Sequence, residues 1–340
     1  MEIDIFSITP HQVSRDLRGY SVFFYGDPKS GKTTIATKFP RHFLLAFEKG
    51  YNAIPGAMAQ PINSWSDFRK VLRQLKEPKA KELFETIIID TADIAYDYCE
   101  KYICANAKRP DGGVGVDTIG DIAYGKGYTL VANEFDSCLR SIVQMGYGIV
   151  LISHAVDKTF KDEQGREYNQ IIPTLGNKAR DIVARLCDII GYSRTVEDEN
   201  GELSTKLFMR GTPRYVAGSR FKYTPDYIDF NYTSLVQAIS DAIDKQMEED
   251  GKEYFTETRS NLYVQPTDVE LNFDFLMAEF NDCINTLIQK TGTEFENTYQ
   301  PKIIQITEKY LGKGNKVSQI SRDQTEALSL IVDDIKQLIK

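Results

Sequence analysis

Hydrophobic and polar positions in the first 240 residues follow two alternating patterns: short unbroken apolar runs, and stripes that recur every three or four residues. The runs Ser21–Tyr25, His42–Phe47, Phe84–Ile89 and Gly148–Ile152 predict strands buried on both faces, as a parallel sheet requires. The stripes predict helices between them. Trp65–Glu77 places Trp65, Phe68, Val71, Leu72 and Leu75 on one face, with Pro78 as its stop. Ile94–Ile103, Thr129–Gln144 and Gly176–Leu186 continue the alternation, and Asp229–Ile243 closes it. Cys187–Val196 and Leu203–Arg210 predict an antiparallel hairpin over the polar turn between them. Two stretches interrupt the pattern. Lys108–Gly115 is rich in Gly and Pro and predicts a mobile loop. The polar Lys158–Asn169, with a turn at Gly165, predicts a flexible hairpin or loop.

Past residue 246 the pattern changes character. Met247–Gln265 is acidic and aperiodic, a linker over 247–266 between a core at 1–246 and a helical module at 267–340. The module opens on a capping box, Thr267–Glu270, followed by Phe273, Leu276, Phe280, Ile284 and Leu287 at helical spacing. Pro301–Leu311 predicts a second helix. Ser321–Gln324 is another box, ahead of Leu328, Ile331, Ile335 and Leu338. Stripes on helices this short must pack on one another or on a partner.

Composition changes this picture little. At 340 residues, 41% hydrophobic and 26% charged, the chain is an ordinary globular protein with room for about two domains. No apolar run approaches membrane-span length, and the start, MEIDIFSITP, lacks the basic region and apolar core of a signal peptide, so a cytoplasmic protein without a membrane partner is expected. Five cysteines without C-x-x-C spacing and three histidines predict reduced thiols and no zinc site. Charge matters more. Residues 241–340 hold 11 basic against 19 acidic side chains and carry the whole net charge of −8, whereas residues 1–240 balance at 30 against 30. The acidic module predicts a solvated helical surface or a docking site for a protein, and no DNA grip of its own.

Candidate chemistry begins where the first strand ends. Gly26-Asp27-Pro28-Lys29-Ser30-Gly31-Lys32-Thr33 fits G-x-x-x-x-G-K-[ST], with Thr34 continuing into a helix. The glycines let successive N–H groups face phosphate oxygens, Lys32 reaches the β- and γ-phosphates, and the Thr33 hydroxyl ligates Mg²⁺. A nucleoside triphosphate with Mg²⁺ is therefore the expected ligand. Asp90, directly after Thr86–Ile89, fits a strand that delivers a carboxylate to the metal, through water. Glu48 follows the strand His42–Phe47, where an open α/β sheet places its ligand, and is either the base that activates water or a surface loop acid. Ser153-His154 ends another strand, a candidate γ-phosphate sensor or a structural pair. Lys108, Arg109, Lys158, Lys161 and Arg166, with Tyr168 for stacking, are loop residues suited to single-stranded nucleic acid, or plain solvated charges.

The ordered blocks GDPKSGKT, FEKGYN, TIIIDT, AYGKGY, VLISH and VAGSRF, over about residues 18–240, resemble the phage-encoded P-loop ATPases of the RecA superfamily found in recombination modules. The resemblance implies an α/β RecA-like core, ATP with Mg²⁺, and Lys32, Thr33 and Asp90 at phosphate and metal. It makes Glu48 the catalytic glutamate and His154 part of the sensor, with the loops beyond it on single-stranded DNA. It also implies a ring or filament in a bacterial host's cytoplasm, with Arg220 acting on the neighbouring subunit's ATP. Relatives commonly carry basic-x-basic there; Gly218-Ser219-Arg220 has one basic residue, unless Arg220 and Lys222 are the pair. Two alternatives remain: a hexameric DnaB-type helicase or translocase, and an ATP switch unconnected with DNA.

Overall fold

From its first described segment the chain alternates strands and helices. A short β1 (Val13–Ser14) leads to β2 (Ser21–Gly26), the glycine-rich loop, α1 (Lys32–Ala36) and β3 (His42–Ala46). Next come β4 (Ala59–Pro61), α2 (Trp65–Leu75), α3 (Pro78–Leu83), β5 (Thr86–Asp90), α4 (Ala92–Asn106) and α5 (Lys126–Gln144). They are followed by β6 (Gly148–Lys161), β7 (Glu167–Pro173), α6 (Asn177–Leu186), β8 (Ile189–Glu197) and β9 (Leu203–Phe208). β10 (Gly218–Ser219), β11 (Tyr227–Asp229), α7 (Tyr232–Asp250) and β12 (Phe255–Thr256) complete the larger unit. This computed structural model describes residues 10–109, 112–122, 125–197, 199–257 and 273–339, in two compact units, one within Ile5–Gln265 and one within Pro266–Lys340.

The strands of the large sheet lie in the order β11-β9-β8-β2-β6-β5-β3-β4, with β10 on β8 and β7 on β6. Every neighbouring pair from β8 to β4 is parallel; β7, β9, β10 and β11 join antiparallel. Alternating side chains make the layers. Phe23, Tyr25, Ile87 and Ile89 pack on one side with Trp65, Phe68, Phe135 and Leu139 from the helices. Val22, Phe24 and Ile88 pack on the other with Ile35, Leu235, Ile239 and Ile243. This is the α/β fold, a mainly parallel sheet flanked by helices, that the run-and-stripe pattern predicted. All five cysteines are free and buried, and burial pushes their thiols above the ordinary range.

Several boundaries differ from expectation. Pro78 does not simply stop a helix; it begins α3, where its missing N–H is no loss. β6 runs on past Ile152 to Lys161 and pairs antiparallel with β7 over seven positions, so of the two readings of this stretch, hairpin or loop, the hairpin forms, and it reaches beyond 158–169 to 155–173. α7 continues to Asp250, beyond the boundary at 246, and Phe255 pairs with Val13. Arg15 further holds Glu257 at 2.8 Å. Residues 247–257 therefore belong to the larger unit; the rest of the expected linker and the Thr267–Glu270 box lie outside the described residues. The second unit is helical: α8 (Phe273–Thr291), α9 (Gln300–Leu311) and α10 (Thr325–Ile339) share a core of their own around Leu287, Leu328, Ile331 and Ile335. Its Ser321 box forms, with both the N–H and the hydroxyl 3.1 Å from Gln324 Oε1.

Candidate active site

β2 and β5 are separated in the sheet by β6, and their C-terminal ends converge on one side of it. The loop leaving β2 holds Lys29 and Gly31 in left-handed backbone, with φ of 64° and 94°. Glycine accepts that geometry freely and lysine only at a cost, which fits a loop shaped for its ligand. α1 starts with no side-chain cap, leaving its first amides to face a bound group. Gly26 is demanded by a close approach: a Cβ there would stand 2.2 Å from Ser193 Oγ and 2.3 Å from Ser193 O. Ser193, which nothing in its own neighbourhood of the sequence marks, also holds the Ser30 hydroxyl at 2.9 Å. Asp27, Pro28, Lys29 and Thr34 are exposed around the loop.

Lys32 is buried with its ammonium donating to the carbonyls of Gly26 at 3.0 Å and Asp27 at 2.7 Å. Burial lowers its pKa, while the carboxylates of Asp90 and Glu48 pull the other way. The Thr33 hydroxyl donates to Asp90 Oδ2 at 2.7 Å. Asp90 Oδ1 is buried without a partner, and burial raises the carboxyl's pKa to about 6. The Asp90 carbonyl accepts the N–H groups of Phe47 at 2.7 Å and Glu48 at 3.2 Å, which fixes the exit of β3 beside Asp90. Gly50 marks the convergence: a Cβ on it would meet Asp90 Oδ2 and Thr33 Oγ1 at 3.4 Å and Glu48 Oε1 at 3.6 Å. His154 is the register neighbour of Gly26, and its Nε2 lies 3.5 Å from Glu48 Oε2. That contact raises the imidazole's pKa. The orphaned Asp90 oxygen beside a hydroxyl and a second carboxylate is a donor set that fits a hard divalent cation.

Thus Gly26, Ser30, Gly31, Lys32, Thr33, Glu48, Asp90 and His154 come together. Arg220 does not join them in its own chain. Its guanidinium holds Asp188 Oδ1 and the Arg185 carbonyl, each at 2.8 Å, and Asp188 in turn accepts the Ser21 N–H. Ser21 begins β2 and Gly26 ends it, so Arg220 sits at the far end of that strand, in a structural pair that secures the entry to β8. Lys222 is likewise engaged, at 2.6 Å from Glu249.

Residues 18–221 match the AAA domain family. The chain belongs to this AAA-domain family of P-loop NTPases. It is also 32% identical, over all of its length and 99% of the relative's, to the SPbeta prophage-derived protein YorG of Bacillus subtilis strain 168. Among solved structures, a KaiC-like protein of Pyrococcus horikoshii OT3 is similar over 60% of this chain and 90% of its own, at 14% identity and a TM-score of 0.33. The flagellar accessory protein FlaH of Methanocaldococcus jannaschii is similar over 63% and 85%, at 12% identity and a TM-score of 0.31. Members of the P-loop ATPase family generally use ATP and Mg²⁺. Among the described residues, no helix is long and apolar enough to cross a membrane.

Burial of the Asp90 carboxyl has a measurable consequence. An acid whose folded pKa, about 6, exceeds its unfolded value of 3.8 destabilises the fold at pH above the folded value, and the penalty fades as pH falls through it. Asp90→Asn, whose amide oxygen still accepts from Thr33, should raise stability at pH 7–8 by on the order of 1–3 kcal/mol in metal-free buffer. Thermal melts of both proteins should converge as pH approaches about 4. A gap independent of pH contradicts this account. Hydrolysis should fall in the same variant.

Proposed function

We propose that this protein binds and hydrolyses ATP and couples that cycle to single-stranded DNA in phage recombination or replication. The observation that carries the ATPase part is the convergence of Thr33, Asp90 and Glu48 oxygens around Gly50, next to a buried Lys32. Lys32, with the amides of Gly26–Thr33, binds the phosphates of the substrate. Thr33 and Asp90 would hold Mg²⁺, which would neutralise charge on the phosphates. Glu48 takes the proton of the attacking water, and His154 holds the carboxylate in position for it. Arg220, held by Asp188 within its own chain, keeps a structural role in this reading.

The DNA part rests on the arm formed by β6 and β7. Tyr168 is exposed and stacks on Phe160, with centroids 5.9 Å apart, and Lys158 lies over the Phe160 ring. Aromatic faces beside cations suit unpaired bases and phosphates. The prophage origin of YorG supports a phage setting. A second reading has its own observation. Lys161 pairs with Glu167 and Arg166 with Asp162, and residues 155–173 hold three basic against four acidic side chains. Such an arm also suits a protein partner, in an ATP switch whose acidic helical module docks elsewhere.

Salt dependence separates the two. Replacing Lys108, Arg109, Lys158, Lys161 and Arg166 together by Ala should weaken binding of an oligothymidylate about tenfold or more and flatten the slope of log K against log salt, each lost phosphate contact removing about 0.7 from it. An unchanged slope removes these residues from the DNA interface and favours the protein-switch reading.

A further inference from the structure

The arm and the candidate site share one root. β6 belongs to the central sheet up to His154 and to the arm from Ala155 onward. β7 returns the chain to the same place, where the Thr174 N–H donates to the His154 carbonyl at 2.9 Å. A cluster of hydroxyls closes there on one carboxylate. Thr174 Oγ1 donates to Asp93 Oδ2, and Ser153 Oγ lies 3.3 Å from the same oxygen and 3.0 Å from Thr174 Oγ1. Asp93 stands in the first turn of α4, three residues after Asp90. Ser153 is fully buried and is the register neighbour of Tyr25, one residue before the glycine-rich loop begins. The cluster therefore ties together the segment carrying Asp90, the strand end carrying His154, and both strands of the arm.

We propose that Asp93, Ser153 and Thr174 form a latch that couples the set of the arm to nucleotide at the Lys32 site. The proposal rests on the ATP-binding reading above. Its physical basis is the cost of a half-made network at its buried member: Ser153 is fully buried whereas Thr174 is exposed, and a buried hydroxyl that loses its partner costs about 1–3 kcal/mol, so the cluster favours discrete arrangements over gradual deformation. A bound phosphate contacting His154 or displacing Glu48 moves the Ser153-His154 backbone, which carries one side of the latch. The arm amplifies that movement, because its seven register pairs make a ribbon on the order of 20 Å long. Its other flank is held at Ile171, whose N–H donates to the Arg214 carbonyl at 2.8 Å, so the arm pivots about a fixed point. Linkage makes the coupling reciprocal: whatever grips the arm alters nucleotide affinity by the same factor that nucleotide alters the grip. Asp93 and Thr174 are thus positioning residues that act through Ser153 and His154.

Amide hydrogen exchange of residues 155–173, with and without saturating ATPγS and Mg²⁺, tests the latch in the full-length protein. Nucleotide should change exchange of arm amides by about fivefold or more in the parent. In Thr174→Val the response should drop below about twofold while affinity for a fluorescent ATP analogue stays within about threefold, and Thr174→Ser should restore it. Asp93→Asn, isosteric and still able to accept one hydrogen bond, should show an intermediate response and keeps the test decisive if Thr174→Val fails to fold. An arm indifferent to nucleotide in a parent that binds it overturns the latch. So does a full response in both Thr174→Val and Asp93→Asn. Failure of the parent to bind the analogue overturns instead the ATP reading on which the latch rests, and the binding titration distinguishes the two.

Discussion

Glu48→Gln should bind ATP with near-parental affinity and hydrolyse it about 10²–10⁴-fold more slowly. The amide keeps the size of the carboxylate and removes only its capacity to take a proton, a capacity used in the transition state and not in the ground state. Lys32→Ala should behave differently. It removes an ammonium that the loop holds on the Gly26 and Asp27 carbonyls, so binding and turnover should fall together. Single-turnover rates alongside equilibrium titration give both quantities for each variant. If Glu48→Gln turns over at the parental rate, the base lies elsewhere, and Asp93 becomes the next carboxylate to replace. His154→Gln should lie between the two variants. Losing the 3.5 Å contact with Glu48 loosens the base without removing it, which lowers kcat more than it changes KM.

The features legible in the sequence were those whose partners lie at fixed short offsets. Gly26, Gly31, Lys32 and Thr33 belong to one loop, and Asp90 announces itself by the apolar run before it. Glu48 was marked by its place after a strand, yet only the Asp90 carbonyl, accepting its N–H, explains why it faces the site. Ser193, Gly50, Asp93 and Thr174 gave no such sign, because their roles come from contacts between segments distant in sequence: Ser193 meets Gly26 as a neighbour on β8, 167 positions along the chain, and Thr174 meets Asp93 from 81 positions away. The arm was half legible. Its turn at Gly165 stands out, but its strands are exposed on most positions and so lack the alternation that a buried face imposes. Arg220 was legible only through the order of motifs, which assigns it to a neighbouring subunit's ATP; within its own chain an acid 32 residues away, Asp188, decides where its guanidinium lies. The end of the core was drawn too early, since the pairing of Phe255 with Val13 has no local signature.

Gly26→Ala should abolish nucleotide binding and lower the melting temperature, although it adds a single methyl group. A Cβ at this position would lie 2.3 Å from the backbone oxygen of Ser193 as well as 2.2 Å from its hydroxyl. The hydroxyl can rotate away; the carbonyl oxygen cannot, because it is part of β8, paired with β2 on one side and β9 on the other. Relief therefore requires the two central strands to separate at the point where the loop begins. Overpacking of this kind costs roughly 1–3 kcal/mol, and a domain of this size loses about 2–4 °C for each. The same separation shifts Ser30 and the loop amides off their positions, so binding suffers more than stability does. Ser193→Gly discriminates this account from a simple side-chain clash. Alone it removes the hydroxyl's hydrogen bonds to Ser30 and to the Tyr25 carbonyl and should lower stability modestly, and combined with Gly26→Ala it should restore neither melting temperature nor nucleotide affinity. Melting curves and nucleotide titrations of the three variants decide the matter: recovery in the double variant would assign the barrier to the hydroxyl, and parental behaviour of Gly26→Ala would show that β2 and β8 are free to part there.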